Sequence, residues 1–250
     1  MITGVSSPGW ADFTRNLNKL SSRDVCVVSP ELITATELKT DDLRPARAVI
    51  EERIDDVKKV SARMPTTTFL LGTPVFTADE KPTNSVLYLK AGRITGRTNK
   101  RSGITEWEKN QFTFVPEEPP SLIPGSDISV LICADVSTVT LYVRNEFVSE
   151  RILQLGGREN LIGTDPHFIH RQAKTIVVPS CWGIGANRNY AGNYNPDIYY
   201  QMQLKSISTS VLMAVPRLEQ ILVVDRCPDV PPGLHSYITT KPLNALFTRK

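Results

Sequence analysis

Four short apolar runs constrain this chain more than any other feature. They are Asp24-Val25-Cys26-Val27-Val28, Phe69-Leu70-Leu71-Gly72, Ile128-Ser129-Val130-Leu131-Ile132-Cys133 and residues 174–178, all rich in Val, Ile and Leu. A strand with one wet face alternates apolar and polar residues, whereas a strand covered on both faces reads as a nearly unbroken apolar run. Helical periodicity lies between the runs. In residues 43–64, Leu43, Ala46, Ile50, Ile54, Val57 and Met64 recur at three- and four-residue spacing amid charges, and Pro65 closes the segment. Residues 12–20, 147–155 and 198–208 also read as helices. Further strands are expected over 211–215 and 221–225, and the second run extends over 66–75. Residues 84–89 and 93–97 read as a hairpin turning at Ala91-Gly92. Residues 183–197, rich in Gly, Asn and Tyr, read as a loop; Asn187, Tyr190, Asn193 and Tyr194 on it fit substrate contact and plain loop chemistry equally. Covered strands alternating with helices predict an α/β architecture, in which polar functional groups gather beyond the C-terminal strand ends. Glu31, just past Ser29-Pro30, and Cys133 both occupy such positions.

The chain of 250 residues is long enough to bury a substantial core, and it is read as one domain over 1–250. No stretch is apolar for long enough to cross a bilayer, and Met1 is not followed by a basic-then-apolar leader, so a soluble, cytoplasmic protein is expected. The net charge is only +3, and the densest basic patch is Lys100-Arg101. That is too short for the cationic stripe that tracks phosphates, so no nucleic-acid partner is expected. Cys26, Cys133, Cys181 and Cys227 form no C-x-x-C pair, which disfavours zinc and dithiol chemistry. His167 and His170 lack a third ligand, and His235 has nothing to distinguish it, so packing or surface roles suit all three.

A cysteine nucleophile needs a base or a positive field beside it. A carboxylate can accept the thiol proton and later activate water, and a lysine can hold the oxyanion of a tetrahedral intermediate. This chain offers many Glu and Lys residues, and spacing alone does not select among them.

An ordered series of short motifs does select. Val28-Ser29-Pro30-Glu31 is similar to an apolar strand ending in Phe-Pro-Glu. Asn84-Ser85-Val86 to Gly92-Arg93-Ile94 resembles a hairpin before a catalytic lysine, and Lys100 stands where a Tyr-Arg-Lys motif puts it. Glu108 and Phe112 match Gly-Glu-x-x-x-Phe, with Trp107 in place of Gly. Leu131-Ile132-Cys133-Ala134-Asp135 resembles Ile-Cys-Tyr-Asp. Val178-Pro179-Ser180-Cys181-Trp182 resembles Pro-Ser-x-Trp, and Gly233, Ser236, Ile238 and Pro242 resemble Gly-x-Ser-x-Ile-x-x-Pro. In this order the motifs resemble the nitrilase superfamily of carbon–nitrogen hydrolases.

The resemblance implies a four-layer α-β-β-α sandwich and a cleavage of amide, carbamoyl or nitrile C–N bonds. It implies Glu31 as general base, Cys133 as nucleophile and Lys100 as oxyanion stabiliser. Glu108 would support substrate and lysine, and the Ala134 backbone N–H would be a further oxyanion donor. Cys181 and Trp182 would lie by the pocket, although a packed strand-end thiol is the simpler reading of Cys181. The route needs no metal and no organic cofactor. The partners implied are a small-molecule amide or nitrile and further copies of the chain, as a homodimer or larger homo-oligomer. Departures stand after the nucleophile: Ala134 replaces an aromatic residue, and Val136-Ser137-Thr138 replaces Phe-Pro-Glu. They leave open the substrate and two rival functions. One is acyl transfer to an amine; the other is a binding or regulatory module that kept the fold and lost turnover.

Overall fold

The computed structural model describes residues 2–20, 25–38, 42–77, 81–101, 103, 106–116, 118–136, 140–143, 146–149, 170–181, 217–225, 233–234 and 237–238. Twelve strands and three α-helices lie within them. In chain order they are β1 (Ile2–Ser6), α1 (Trp10–Leu17), β2 (Cys26–Val28), α2 (Arg47–Arg63), β3 (Thr68–Val75), β4 (Thr83–Lys90) and β5 (Arg93–Asn99). They continue with α3 (Glu106–Gln111), β6 (Ile128–Val130), β7 (Thr140–Val143), β8 (Glu146–Ser149), β9 (Thr175–Ser180), β10 (Gln220–Asp225), β11 (Gly233–Leu234) and β12 (Tyr237–Ile238).

Two sheets carry the fold, one in the order β11-β1-β2-β3-β4-β5 and the other β12-β10-β9-β6. β1, β2 and β3 are mutually parallel, and β4 and β5 continue antiparallel. β6, β9 and β10 are parallel in the second sheet. Period-two geometry sends successive side chains to opposite faces. Cys26, Val28, Leu70, Val86 and Tyr88 therefore point one way, where they join Ile128, Val130, Ile176, Val178, Ile221 and Leu222 in one apolar cluster between the sheets. Val27, Phe69, Leu71, Leu87 and Leu89 point the other way and pack with Phe13 and Leu17 of α1 and Ile50, Ile54 and Val57 of α2. The unbroken apolar runs arise because the first sheet is covered on both faces. A helix–sheet–sheet arrangement is described; residues 182–216, where the sequence places a further helix and strand, lie outside the described residues.

Three expectations shift. Helix α2 begins at Arg47 rather than at residue 43, because Pro45 disfavours helical backbone at the residue before it. The strand expected over 128–133 stops at Val130, and Cys133–Val136 forms a 3-10 turn instead. The helix expected from Phe147 is not there: residues 146–149 form β8, paired antiparallel with β7. Phe147 and Val148 belong to this strand, which a helical reading of the apolar residues missed. The remainder of that segment, 150–169, lies outside the described residues.

The β4–β5 hairpin turns as expected at Ala91 and Gly92, with φ of 50° and 78°. Two successive left-handed residues make the tight turn that matches the strand twist, and glycine takes the second of them without a side-chain clash.

Candidate active site

Strand directions bring one end of each sheet to a common place. The parallel β2 ends just before Glu31. β4 runs antiparallel to β3 and so starts there, with Asn84; β5 turns back again and ends there, before Lys100. In the second sheet the parallel β6 and β9 end toward Cys133 and Cys181. The Glu31 N–H donates to the Ser180 carbonyl at 3.3 Å, which ties the two sheets together at this end.

The Lys100 ammonium donates to Glu31 Oε1 at 2.7 Å, and the two side chains are 0% and 2% exposed. Lys100 also donates to Glu108 Oε1 from α3. Such a cation between two carboxylates is costly to bury and is held only where its donors are satisfied. Burial lowers the Lys100 pKa, yet Glu31, Cys133 and Glu108 together more than offset it and hold the ammonium well above its ordinary value. Asn84 contributes twice: Nδ2 donates to Glu31 Oε1 at 2.7 Å, and its carbonyl accepts the Lys100 N–H at 2.7 Å. Glu108 is placed by α3, which is pinned through the buried Phe112 and the edge-on Trp107–Phe112 ring contact.

Cys133 is buried and has φ of 44°. A non-glycine residue in the left-handed region is strained and is retained where its surroundings fix it. Here the turn is fixed by the Asp135 N–H donating to the Ile132 carbonyl at 2.9 Å. The buried Asp135 carboxylate also accepts the Arg101 N–H at 3.0 and 3.3 Å. The Cys133 turn is thus fastened to the peptide that follows Lys100. Burial raises the Cys133 thiol well above its ordinary value, Glu31 raises it further, and Lys100 opposes them. Burial thus disfavours the thiolate, the form in which a cysteine is nucleophilic. Glu31, Lys100, Glu108 and Cys181 all contribute to the field at Cys133, which places them within electrostatic reach of it.

Leu32, the residue after Glu31, also has a positive φ, 52°. The turn is wedged against β3: a Cβ on Gly72 would stand 2.3 Å from the Pro30 carbonyl oxygen and 2.8 Å from Glu31 Cα. Ser29 Oγ accepts the Gly72 N–H at 2.8 Å.

Of the residues selected from sequence, Glu31, Lys100 and Glu108 are in direct contact, Cys133 and Cys181 lie within electrostatic reach of them, and the Ala134 backbone lies in the Cys133 turn. Trp182, His167, His235, Cys227 and the loop residues Asn187, Tyr190, Asn193 and Tyr194 lie outside the described residues. His170 accepts the Gln172 N–H at 3.3 Å through Nδ1, an ordinary turn contact. Among the described residues no group of three His, Cys, Asp or Glu could hold a metal ion, and no helix is long and apolar enough to cross a membrane. The supporting roles of Asn84, Asp135 and Gly72 escaped the sequence reading. A usable signal was present: Thr83-Asn84-Ser85 is a polar start to an otherwise apolar strand, placed by the hairpin at the active-site end.

No protein-family model matches the chain, and no curated protein sequence does. Solved structures do. The NitN amidase of Nesterenkonia sp. AN1 superposes with a TM-score of 0.57 at 13% identity, over 96% of this chain and 85% of that one. A mutant of this amidase, described as from the nitrilase superfamily, gives 0.57 at 12% identity, over 96% and 83%. Another shows covalent addition of the acetamide moiety of fluoroacetamide at its active-site cysteine, with 0.55, 12% identity, and 94% and 78% coverage. The glutamine-dependent NAD+ synthetase of Acinetobacter baumannii matches 90% of this chain with 0.56 at 14% identity. The chain spans only 38% of that enzyme's length.

Proposed function

We propose that this chain, which has the fold of the nitrilase-superfamily amidases, is a cysteine-dependent hydrolase of a non-peptide C–N bond. Its substrate would be a small amide, carbamoyl compound or nitrile. One observation carries the reading: a fully buried Lys100–Glu31 ion pair, joined by Glu108, in the immediate field of a buried thiol at a strand end. Burying this arrangement for structure alone is wasteful, because apolar residues fill such a site at less cost. The same groups suit acyl transfer from nitrogen to sulfur.

Glu31 takes the Cys133 proton as sulfur attacks the carbonyl carbon. The C–S bond forms, and the carbonyl π pair moves onto oxygen, where the Lys100 ammonium and the Ala134 N–H hold the charge. The oxyanion collapses, the C–N bond breaks, and Glu31 returns its proton to the departing nitrogen. The product is a Cys133 thioester plus ammonia or an amine. Glu31 then deprotonates water, hydroxide adds to the thioester, and the C–S bond breaks. The thiolate regains the proton from Glu31 and the acid leaves. Glu108 keeps Lys100 oriented through the cycle. The reading extends, by resemblance, to a single domain with a fourth, helical layer on the second sheet, and to assembly as a homodimer or larger oligomer.

A panel of short amides, carbamoyl compounds and nitriles tests it. Ammonia release from at least one class is expected, and Cys133→Ala is expected to remove it. Release that survives Cys133→Ala would rule out the mechanism.

A further inference from the structure

The proposed cycle leaves one question open at Glu31, namely which of its oxygens takes the thiol proton and what keeps it in place. Oε1 is already engaged by two donors, Lys100 Nζ and Asn84 Nδ2, each at 2.7 Å. No hydrogen bond engages Oε2 among the described residues. Asn84 is fully buried, and its own Oδ1 has no hydrogen-bond partner among the described residues. A buried carbonyl without a donor is unfavourable, and a leucine of similar size would avoid that at this position. The asparagine is therefore explained by what its other end does. Among the described residues, its Nδ2 supplies the one hydrogen bond to the Glu31 carboxylate that does not come from the lysine. Its backbone carbonyl meanwhile holds the Lys100 N–H.

We propose that Asn84 is a positioning residue for the reaction. It clamps Glu31 Oε1 together with Lys100, so that Oε2 is the oxygen left to exchange the proton with Cys133. Asn84 touches neither substrate nor sulfur; it acts through Glu31. Without its N–H, Oε1 keeps only the lysine as partner. The carboxylate then rotates, and both oxygens compete for the ammonium. This inference rests on the proposed role of Glu31 as the base for Cys133.

The test measures Cys133 alkylation by iodoacetamide at neutral pH, located by peptide mass, in wild type, Glu31→Gln, Asn84→Leu and Asn84→Asp. The variants are compared for melting temperature, and for kcat and KM on any amide that wild type turns over. Glu31→Gln is expected to slow alkylation strongly. Asn84→Leu is expected to slow it about 10-fold and to lower kcat by a similar factor with KM nearly unchanged, the loss of one oriented contact to the base. Asn84→Asp keeps the shape but faces Glu31 with an acceptor, so it is expected to be worse than Asn84→Leu. A purely structural role predicts wild-type alkylation and kcat in a folded Asn84→Leu, because a leucine of similar size fills the same space. Asn84→Asp as active as wild type, or a loss confined to KM, would overturn the inference. Alkylation that ignores Glu31→Gln would instead overturn the proposed function. A variant that fails to fold leaves the other to decide.

Discussion

At the scale of single residues, the site is a small set of charges that tolerate one another only as a group. Lys100 lies between Glu31 and Glu108 with no side-chain surface exposed. Lys100→Met would leave two carboxylates facing each other without a cation. The expected cost is about 3–5 kcal/mol of stability, measured by denaturant unfolding, together with loss of turnover. Asp135 acts differently: it touches no reacting atom but fastens the strained Cys133 turn to the Arg101 N–H. Asp135→Ala should lower kcat by about 100-fold, because small displacements of a nucleophile are heavily penalised. Steady-state kinetics on a responsive amide would show it, and an unchanged kcat would refute the fastening role. Glu31, Lys100, Glu108 and Cys133 were readable as candidates because each stands in a short motif. Asn84 and Asp135 were present in those motifs without a visible task, since their partners lie 53 and 34 residues away in the chain.

At the scale of elements, the geometry of strand ends does most of the placing. β3 runs parallel to β2, and β4 and β5 each reverse direction, so that the end of β2, the start of β4 and the end of β5 coincide. The apolar runs made these strands legible, because covering both faces of a sheet leaves no polar alternation. Residues 128–133 misled for the same reason: Leu131 and Ile132 are as buried as the strand, yet β6 ends at Val130 and the backbone turns at Cys133, with φ 44°. A left-handed cysteine leaves no mark in hydrophobicity. The turn at Glu31 depends on close approach to β3, and Gly72 permits it. Gly72→Ala places a methyl group 2.3 Å from the Pro30 oxygen and should push Glu31 out of line. The expected result is about 1–3 kcal/mol of destabilisation with a disproportionate loss of kcat. Activity retained at the wild-type level would show that the approach is not needed.

At the scale of the whole molecule, the two sheets are joined by an apolar cluster that contains Cys26. Desolvation pushes its thiol up from 9.0 to about 12. Unfolded, the thiol ionises above pH 9; folded, it keeps its proton to about 12, so the unfolded state binds fewer protons in between. Stability therefore falls as pH rises through that window, by about 4 kcal/mol from this group alone. Lys100, raised above 10.5, adds in the same direction: its contribution is complete below 10.5 and is lost as pH rises toward its higher folded value. Denaturant midpoints from pH 8 to 11 should fall, and Cys26→Val should flatten the fall. An identical slope in the variant would remove Cys26 as its cause. The layering of helix, sheet and sheet was legible as an α/β class, because periodicity reports which faces are covered; which strand adjoins which was not, because pairing is set by contacts distant in sequence. In the proposed function the fold converges on Cys133 as an acyl-accepting nucleophile. Intact-mass analysis of the protein quenched during turnover of a short amide measures this most directly. Wild type is expected to gain the mass of the acyl group, and Cys133→Ala is expected to lose that gain. An adduct that persists in Cys133→Ala, or turnover with no adduct on Cys133 under any quench, would contradict it.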